Sequence, residues 1–223
     1  MSFDNQCSSY EHFQVQSELV CLYLNARSIM GKFDLFTAWV HHYSPDVIGI
    51  AETWANADIL DSELGVSGYD MFRHDRPVNR VGGGVLLYVK SALQASAFEP
   101  GVSFPEQIWC KIPNHNGCLL HIGVCYRTPN GDIFGTENHD LIRALLNELG
   151  TAKHHFVLMG DFNYSITDWP LLHEENYSLD TRQFFDCMDE NFFLSMSVFQ
   201  PGTMQYLISS SRRSLTWLVI LRI

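Results

Sequence analysis

Three short apolar runs, each stopping on an oxygen-bearing polar side chain, constrain this chain more than any other feature. Leu19 to Leu24 ends at Asn25, Asp46 to Ala51 (DVIGIA) ends at Glu52, and Phe156 to Met159 ends in Gly160-Asp161-Phe162-Asn163. Brief apolar runs bounded by turn residues read as buried strands. Between the first two, Phe33, Phe36, Val40 and Tyr43 recur at helical spacing, so Lys32 to Tyr43 is expected to be an amphipathic helix. Ser44-Pro45 stops it, because the residue before a proline avoids helical backbone. Strand, helix, strand is the beginning of a layered α/β domain. In such folds the strand ends along one edge form the ligand crevice.

The middle of the chain is richer in strands. Tyr69 to Phe72, Val85 to Val89, Gln107 to Ile112 and Cys118 to Tyr126 have strand character, with Gly, Pro and Asn between them. Asn138 to Leu149 reads as a helix with Gly150 as its C-cap. Thr181 to Asn191 reads as a last amphipathic helix, burying Phe184, Phe185 and Met188. Residues 1–17 are polar and aperiodic, a loose leader. No repeat, low-complexity tract or linker divides the rest, so one domain is expected over 18–206.

Charge narrows the partners without naming one. With 25 acidic against 14 basic side chains the formal net charge is -11, which repels phosphate at long range and does not suit a high-affinity, non-specific DNA binder. It leaves room for an enzyme that meets DNA through a local basic rim and a bound cation. The six cysteines form no C-x-x-C pair, and Cys21, Cys110, Cys118 and Cys125 lie in strand-like runs, as buried reduced thiols do. The start lacks a basic segment followed by an apolar one, and no apolar run approaches the ~20 residues of a membrane span. The expectation is an intracellular protein of cytoplasm or nucleus, neither secreted nor membrane-bound.

Carboxylates and amides gathered at strand ends are what magnesium needs, since it takes oxygen ligands and keeps several waters. A bound magnesium polarises a phosphoryl oxygen and stabilises the leaving alkoxide, while a second carboxylate orients or deprotonates water. A lone acid after a strand is ordinarily a helix cap or a solvated loop residue. Three such ends with amide partners raise the metal reading level with that one. His41-His42 and His154-His155 are poor metal pairs, because adjacent side chains diverge on a helix or strand. No Gly-Lys-Ser/Thr follows Gly82-Gly83-Gly84, so a tight turn into a strand is expected there rather than a phosphate loop. Arg73, Arg76, Arg80 and Lys90 are the one basic concentration, a DNA-facing rim or a solvated face.

The strings themselves go further. LNARSIMGK (Leu24 to Lys32), PDVIGIAETW (Pro45 to Trp54), YDMFRHDR (Tyr69 to Arg76), GGGVLLYVK (Gly82 to Lys90), CYRTPN (Cys125 to Asn130) and GDFN (Gly160 to Asn163) stand in this order along the chain. Together they resemble the endonuclease/exonuclease/phosphatase family, and within it the abasic-site-type endonuclease domain of non-LTR, LINE-like retrotransposons. The resemblance implies a four-layer α/β/β/α sandwich and a magnesium-dependent phosphodiesterase, with manganese as a substitute. It implies DNA as substrate, a nick ending in a 3′-hydroxyl, and a reverse transcriptase in the parent element. By position, Asn25 matches the family's first amide, at the metal and phosphate end of the site. Glu52 matches its principal metal-binding carboxylate. Tyr126 matches the hydroxyl near the scissile phosphate, Asp161 the aspartate acting on water, and Asn163 the amide beside it. Arg127, Asn130, Arg73 and Arg76 are candidate substrate contacts. Other members cleave lipid or inositol phosphates, which YDMFRHDR and GGGVLLYVK argue against.

The pattern breaks at the end. The family closes its site with an aspartate in a leucine-aspartate strand and then a serine-aspartate-histidine turn, whereas Gln205-Tyr206 is followed here by LISSSRRSLTWLVILRI. Leu215 to Val219 can be encoded by TTG ACT TGG TTA GTN, and the frame one base earlier gives Leu-Asp-Leu-Val after a suitable preceding base. Residues 207–223 are therefore expected to be an aberrant, frameshifted tail on a C-terminally incomplete domain. The alternative is a real terminal strand. Losing the histidine removes a preorganised donor, a loss on the order of 10²–10³ in rate in comparable cases. The chain is expected to be inactive or weak, and a non-catalytic remnant, binding module or pseudogene product is the alternative function.

Overall fold

In the computed structural model, residues 19–76, 82–113, 117–128, 135–152, 155–164, 178–196 and 217–222 are described. The first apolar run becomes β1 (Cys21–Asn25), and a 3-10 turn leads into α1 (Phe33–Tyr43), which ends on a left-handed Ser44 just before Pro45. After β2 (Val47–Ala51) come β3 (Tyr69–His74), β4 (Val85–Lys90), the two-residue β5 (Ser96–Ala97), β6 (Gln107–Pro113) and β7 (Leu119–Tyr126). Then follow α2 (Gly135–Thr151), β8 (His155–Asp161), α3 (Leu179–Glu190), β9 (Leu194–Met196) and β10 (Trp217–Arg222).

Two sheets result. One runs β1-β2-β4-β3 and the other β5-β6-β7-β8-β10-β9. Strands β1 and β2 are parallel with α1 as the crossover, and β7 and β8 are parallel with α2 as theirs, so each crossing repeats the strand-helix-strand unit. Alternation along the strands decides the layers. Val85, Leu87 and Val89 meet Ile122, Val124 and Met159 between the sheets, while Leu86 and Tyr88 face α1 through Phe36 and Val40. On the far side, Ile142, Leu145 and Leu146 of α2 and Phe184 and Met188 of α3 cover Trp109, Phe156 and Leu158. Helix, sheet, sheet, helices: the expected four-layer sandwich is the observed one.

One expected boundary changes its meaning. Helix α2 continues through Gly150 to Thr151, so Gly150 is not a C-cap. A Cβ there would lie 1.6 Å from Asn191 Oδ1, so the glycine lets the end of α3 approach. The last helix begins at Leu179, two residues before the expected start, because Ser178 caps it by accepting from the Thr181 amide at 3.2 Å. Trp217–Arg222 is a strand antiparallel to β8, with Trp217 opposite Asp161. The other residues of 207–223, and the leader over 1–17, lie outside the described residues.

Gly123 of β7 lies opposite Trp109 of β6, and a Cβ at Gly123 would sit 2.5 Å from the indole ring. Gly123→Ala is expected to cost about 1–3 kcal/mol of stability by overpacking, read as a lower urea midpoint with an unchanged slope.

Candidate active site

Strands β1, β2 and β8 bring their carboxyl-terminal ends together where the two sheets meet, and three side chains converge there. Nδ2 of Asn25 donates to Glu52 Oε1 at 2.8 Å and to Asp161 Oδ2 at 3.0 Å, across 136 positions of sequence in the second case. Its Oδ1 accepts from the Arg27 amide at 3.2 Å, which fixes the amide's orientation. Asn25 and Asp161 are buried and Glu52 is half-buried. Oδ1 of Asp161 accepts from the Asn163 amide at 3.2 Å. One amide therefore holds two carboxylates side by side at the mouth of the sandwich.

Two phenols complete this end. Tyr126, the last residue of β7 and the register partner of Asp161, lies close to Glu52. Burial first, then Glu52 and Asp161, pushes its hydroxyl far above the usual range. Tyr23 of β1 is raised by burial first and then by the same two carboxylates. Both phenols stay neutral at ordinary pH.

The backbone here is strained where the strands turn. Arg27 (φ 42), Ser28 (φ 74), Glu52 (φ 51), Trp54 (φ 56) and Asn163 (φ 48) adopt left-handed conformations without being glycine. Such residues cost on the order of 1–3 kcal/mol each and persist where the surroundings over-determine them, often at functional sites. The surroundings here are main-chain bonds: Ser28 N donates to Glu52 O, Ile29 N to Thr53 O, and Trp54 N to Gly83 O.

The expected basic contacts are placed differently from one another. Arg127 is fully buried, donating to Phe162 O at 3.1 Å and Asn163 O at 3.2 Å with its guanidinium 4.2 Å from the Tyr164 ring centroid. It braces the Asp161–Asn163 turn, and Asn163 Nδ2 returns a bond to Arg127 O at 2.7 Å. Arg73 is held by Asp61, Asp75 and the carbonyls of Asn56 and Ile59, tying the loop after β2 to β3. Arg76 is paired with Glu106 and lies 5.9 Å from the Tyr126 ring centroid. Asn130 lies outside the described residues.

Sequence reasoning missed Glu106. Besides Arg76 it accepts from the Gly84 amide at 3.2 Å, and its own carbonyl accepts from Tyr126 N. Burial raises its carboxyl more than Arg76 and the Gly84 amide lower it. The triple glycine is explained by this packing. A Cβ at Gly83 would lie 2.3 Å from Arg76 Nε and 2.6 Å from Glu106 Oε2, and all three glycines have positive φ. An acid just before β6, far in sequence from the glycines, carries no local signal of this role.

The donors gathered by Asn25 are all oxygens, the chemistry a hard divalent cation takes. Among the described residues no group of three or more His, Cys, Asp or Glu forms a metal cluster. Any cation would therefore rest on Glu52, the Asn25 amide and solvent or substrate oxygens.

A layered α/β sandwich with carboxylates and amides at the joint strand ends defines a class of hydrolytic phosphoesterases. The chain belongs to the endonuclease/exonuclease/phosphatase family, whose sequence pattern matches residues 22–217. Members of that family are hydrolytic nucleases and phosphatases. Comparison with curated proteins by sequence finds no match. Among solved structures the chain is similar to an AP endonuclease from Leishmania major (16% identity, 90% of this chain and 78% of that one, TM-score 0.62). It is similar to the endonuclease domain of TRAS1, a telomere-specific non-LTR retrotransposon (12% identity, 92% and 85% covered, TM-score 0.62). A 3′ phosphatase from Neisseria bound to product DNA hairpin matches equally well (12% identity, 92% and 86% covered, TM-score 0.63). At these identities the likeness is one of fold. No helix among the described residues is long and apolar enough to cross a membrane.

Proposed function

We propose that this chain is a magnesium-dependent endonuclease domain of the non-LTR retrotransposon type, hydrolysing a phosphodiester of DNA inside the cell. The observation that carries the reading is the Asn25 amide holding Glu52 and Asp161 together beside the Tyr126 hydroxyl. Glu52 and Asn25 would hold magnesium, or manganese in its place. Bound there, the cation supplies positive charge to the phosphate and to the leaving oxygen. Asp161, steadied by the Asn163 amide, orients the attacking water and takes its proton. Tyr126, as a neutral phenol, donates to a phosphate oxygen. Water adds to phosphorus as the P–O3′ bond breaks, and the leaving O3′ takes a proton from solvent, giving a 3′-hydroxyl and a 5′-phosphate. In the parent element that hydroxyl would prime a reverse transcriptase.

A non-catalytic nucleic-acid-binding module is the second reading. Its favouring observation is that, among the described residues, no histidine or third carboxylate joins Glu52 and Asp161 in a metal-holding group. On this reading activity is absent. Supercoiled plasmid incubated with the chain separates the two. The endonuclease reading expects open circles that form slowly with magnesium, none with EDTA, and nick ends that a polymerase extends directly. No magnesium-dependent nicking, or nicks that must be dephosphorylated before extension, would contradict it.

A further inference from the structure

Beside the carboxylates stands a rim that the proposed chemistry does not use. Trp54 keeps 43% of its surface exposed, two positions after Glu52. Single exposed apolar residues need no explanation, but this one is built in place. Its backbone is held left-handed by the bond to Gly83 O, and its indole lies against the glycine turn, where a Cβ at Gly82 would be 3.6 Å from Nε1. The neighbouring turn of β1 is tied to the same segment through Ser28 N to Glu52 O and Ile29 N to Thr53 O. It carries Arg27, also left-handed and exposed. Unlike Arg73, Arg76 and Arg127, Arg27 shows no side-chain hydrogen bond or ion pair among the described residues. Met30, 37% exposed, extends the apolar surface of this turn.

An open indole and a guanidinium without a partner among the described residues, fixed on two backbone-linked turns at the ends of β1 and β2, match a nucleotide: a base for the ring and a phosphate for the cation. We infer that Arg27 and Trp54 form a nucleotide subsite for the DNA strand next to the scissile phosphate, with Trp54 stacking on a base and Arg27 pairing with a phosphate. The subsite rests on the endonuclease reading for its substrate and adds the residues that position it. Stacking is tolerant of sequence, because every base has a π-face. The subsite therefore gives grip and register more than base choice.

Fluorescence polarisation of a labelled single-stranded deoxyoligonucleotide in EDTA measures the subsite without cleavage. Trp54→Ala is expected to weaken binding about tenfold or more, the scale of one lost base–aromatic stack, and Trp54→Phe to retain most of it. Arg27→Ala is expected to lower the salt dependence by about one counterion. Equal affinity for Trp54→Ala and the unsubstituted chain, or no binding by the latter, overturns the subsite. Plasmid nicking dependent on Glu52 is read in parallel. Nicking intact with binding unchanged condemns the subsite alone, and absent nicking with Trp54-dependent binding condemns the catalytic reading alone.

Discussion

Asp161→Asn is expected to slow plasmid nicking by about 10²–10⁴-fold, the range for removing a positioned general base. The carboxylate accepts on both oxygens, from Asn163 N and from Asn25 Nδ2. Asparagine presents one carbonyl oxygen and one NH₂, so whichever way it turns, one of these bonds is lost and two donors face each other. The variant therefore loses the base and loosens the amide that positions Glu52. Initial nicking rates at saturating magnesium read the first effect, and the melting temperature reads the second. A variant that nicks like the unsubstituted chain would remove Asp161 from the mechanism.

The second large effect concerns stability rather than chemistry. The Arg76 and Glu106 side chains are only 11% and 9% exposed. For Glu106, burial outweighs the pull of its partners. A pair of this kind adds little net stability, yet breaking it leaves a buried charge uncompensated. Arg76→Ala is expected to cost about 3–5 kcal/mol, seen as a lower urea midpoint. The double replacement Arg76→Met with Glu106→Leu is expected to recover much of that loss, because both charges leave together. A single substitution costing under about 1 kcal/mol would mean the pair is screened as surface pairs are. Because Glu106 O receives Tyr126 N and Glu106 Oε2 receives Gly84 N, the single variant should also lower nicking.

How far the residues alone could have led is visible at these same positions. Asn25, Glu52 and Asp161 were legible because each closes an apolar run, and a strand end in a layered fold points to the crevice. Apolar runs bounded by turn residues placed the buried strands, and helical periodicity placed α1, within a residue or two. What it could not supply was convergence: the bond from Asn25 to Asp161 exists because β1 and β8 belong to different sheets that pack face to face. Arg127 and Arg73 were legible as cations, but whether a guanidinium faces solvent or a carbonyl depends on tertiary neighbours. Gly150 looked like a cap because glycine after a helical run usually is one, whereas here it makes room for Asn191. Glu106 had no local pattern at all, since its partners Arg76 and Gly84 lie on other elements.

On the proposed reading, Glu52, held by Asn25, carries the cation on which cleavage depends. The most direct test of this claim is nicking of supercoiled plasmid by the full chain and by Glu52→Ala over a magnesium titration. The claim requires that the unsubstituted chain nick with a saturable magnesium dependence and that Glu52→Ala lose it at every concentration while keeping its melting temperature. Magnesium-dependent nicking that survives in Glu52→Ala would contradict the claim and place the cation elsewhere.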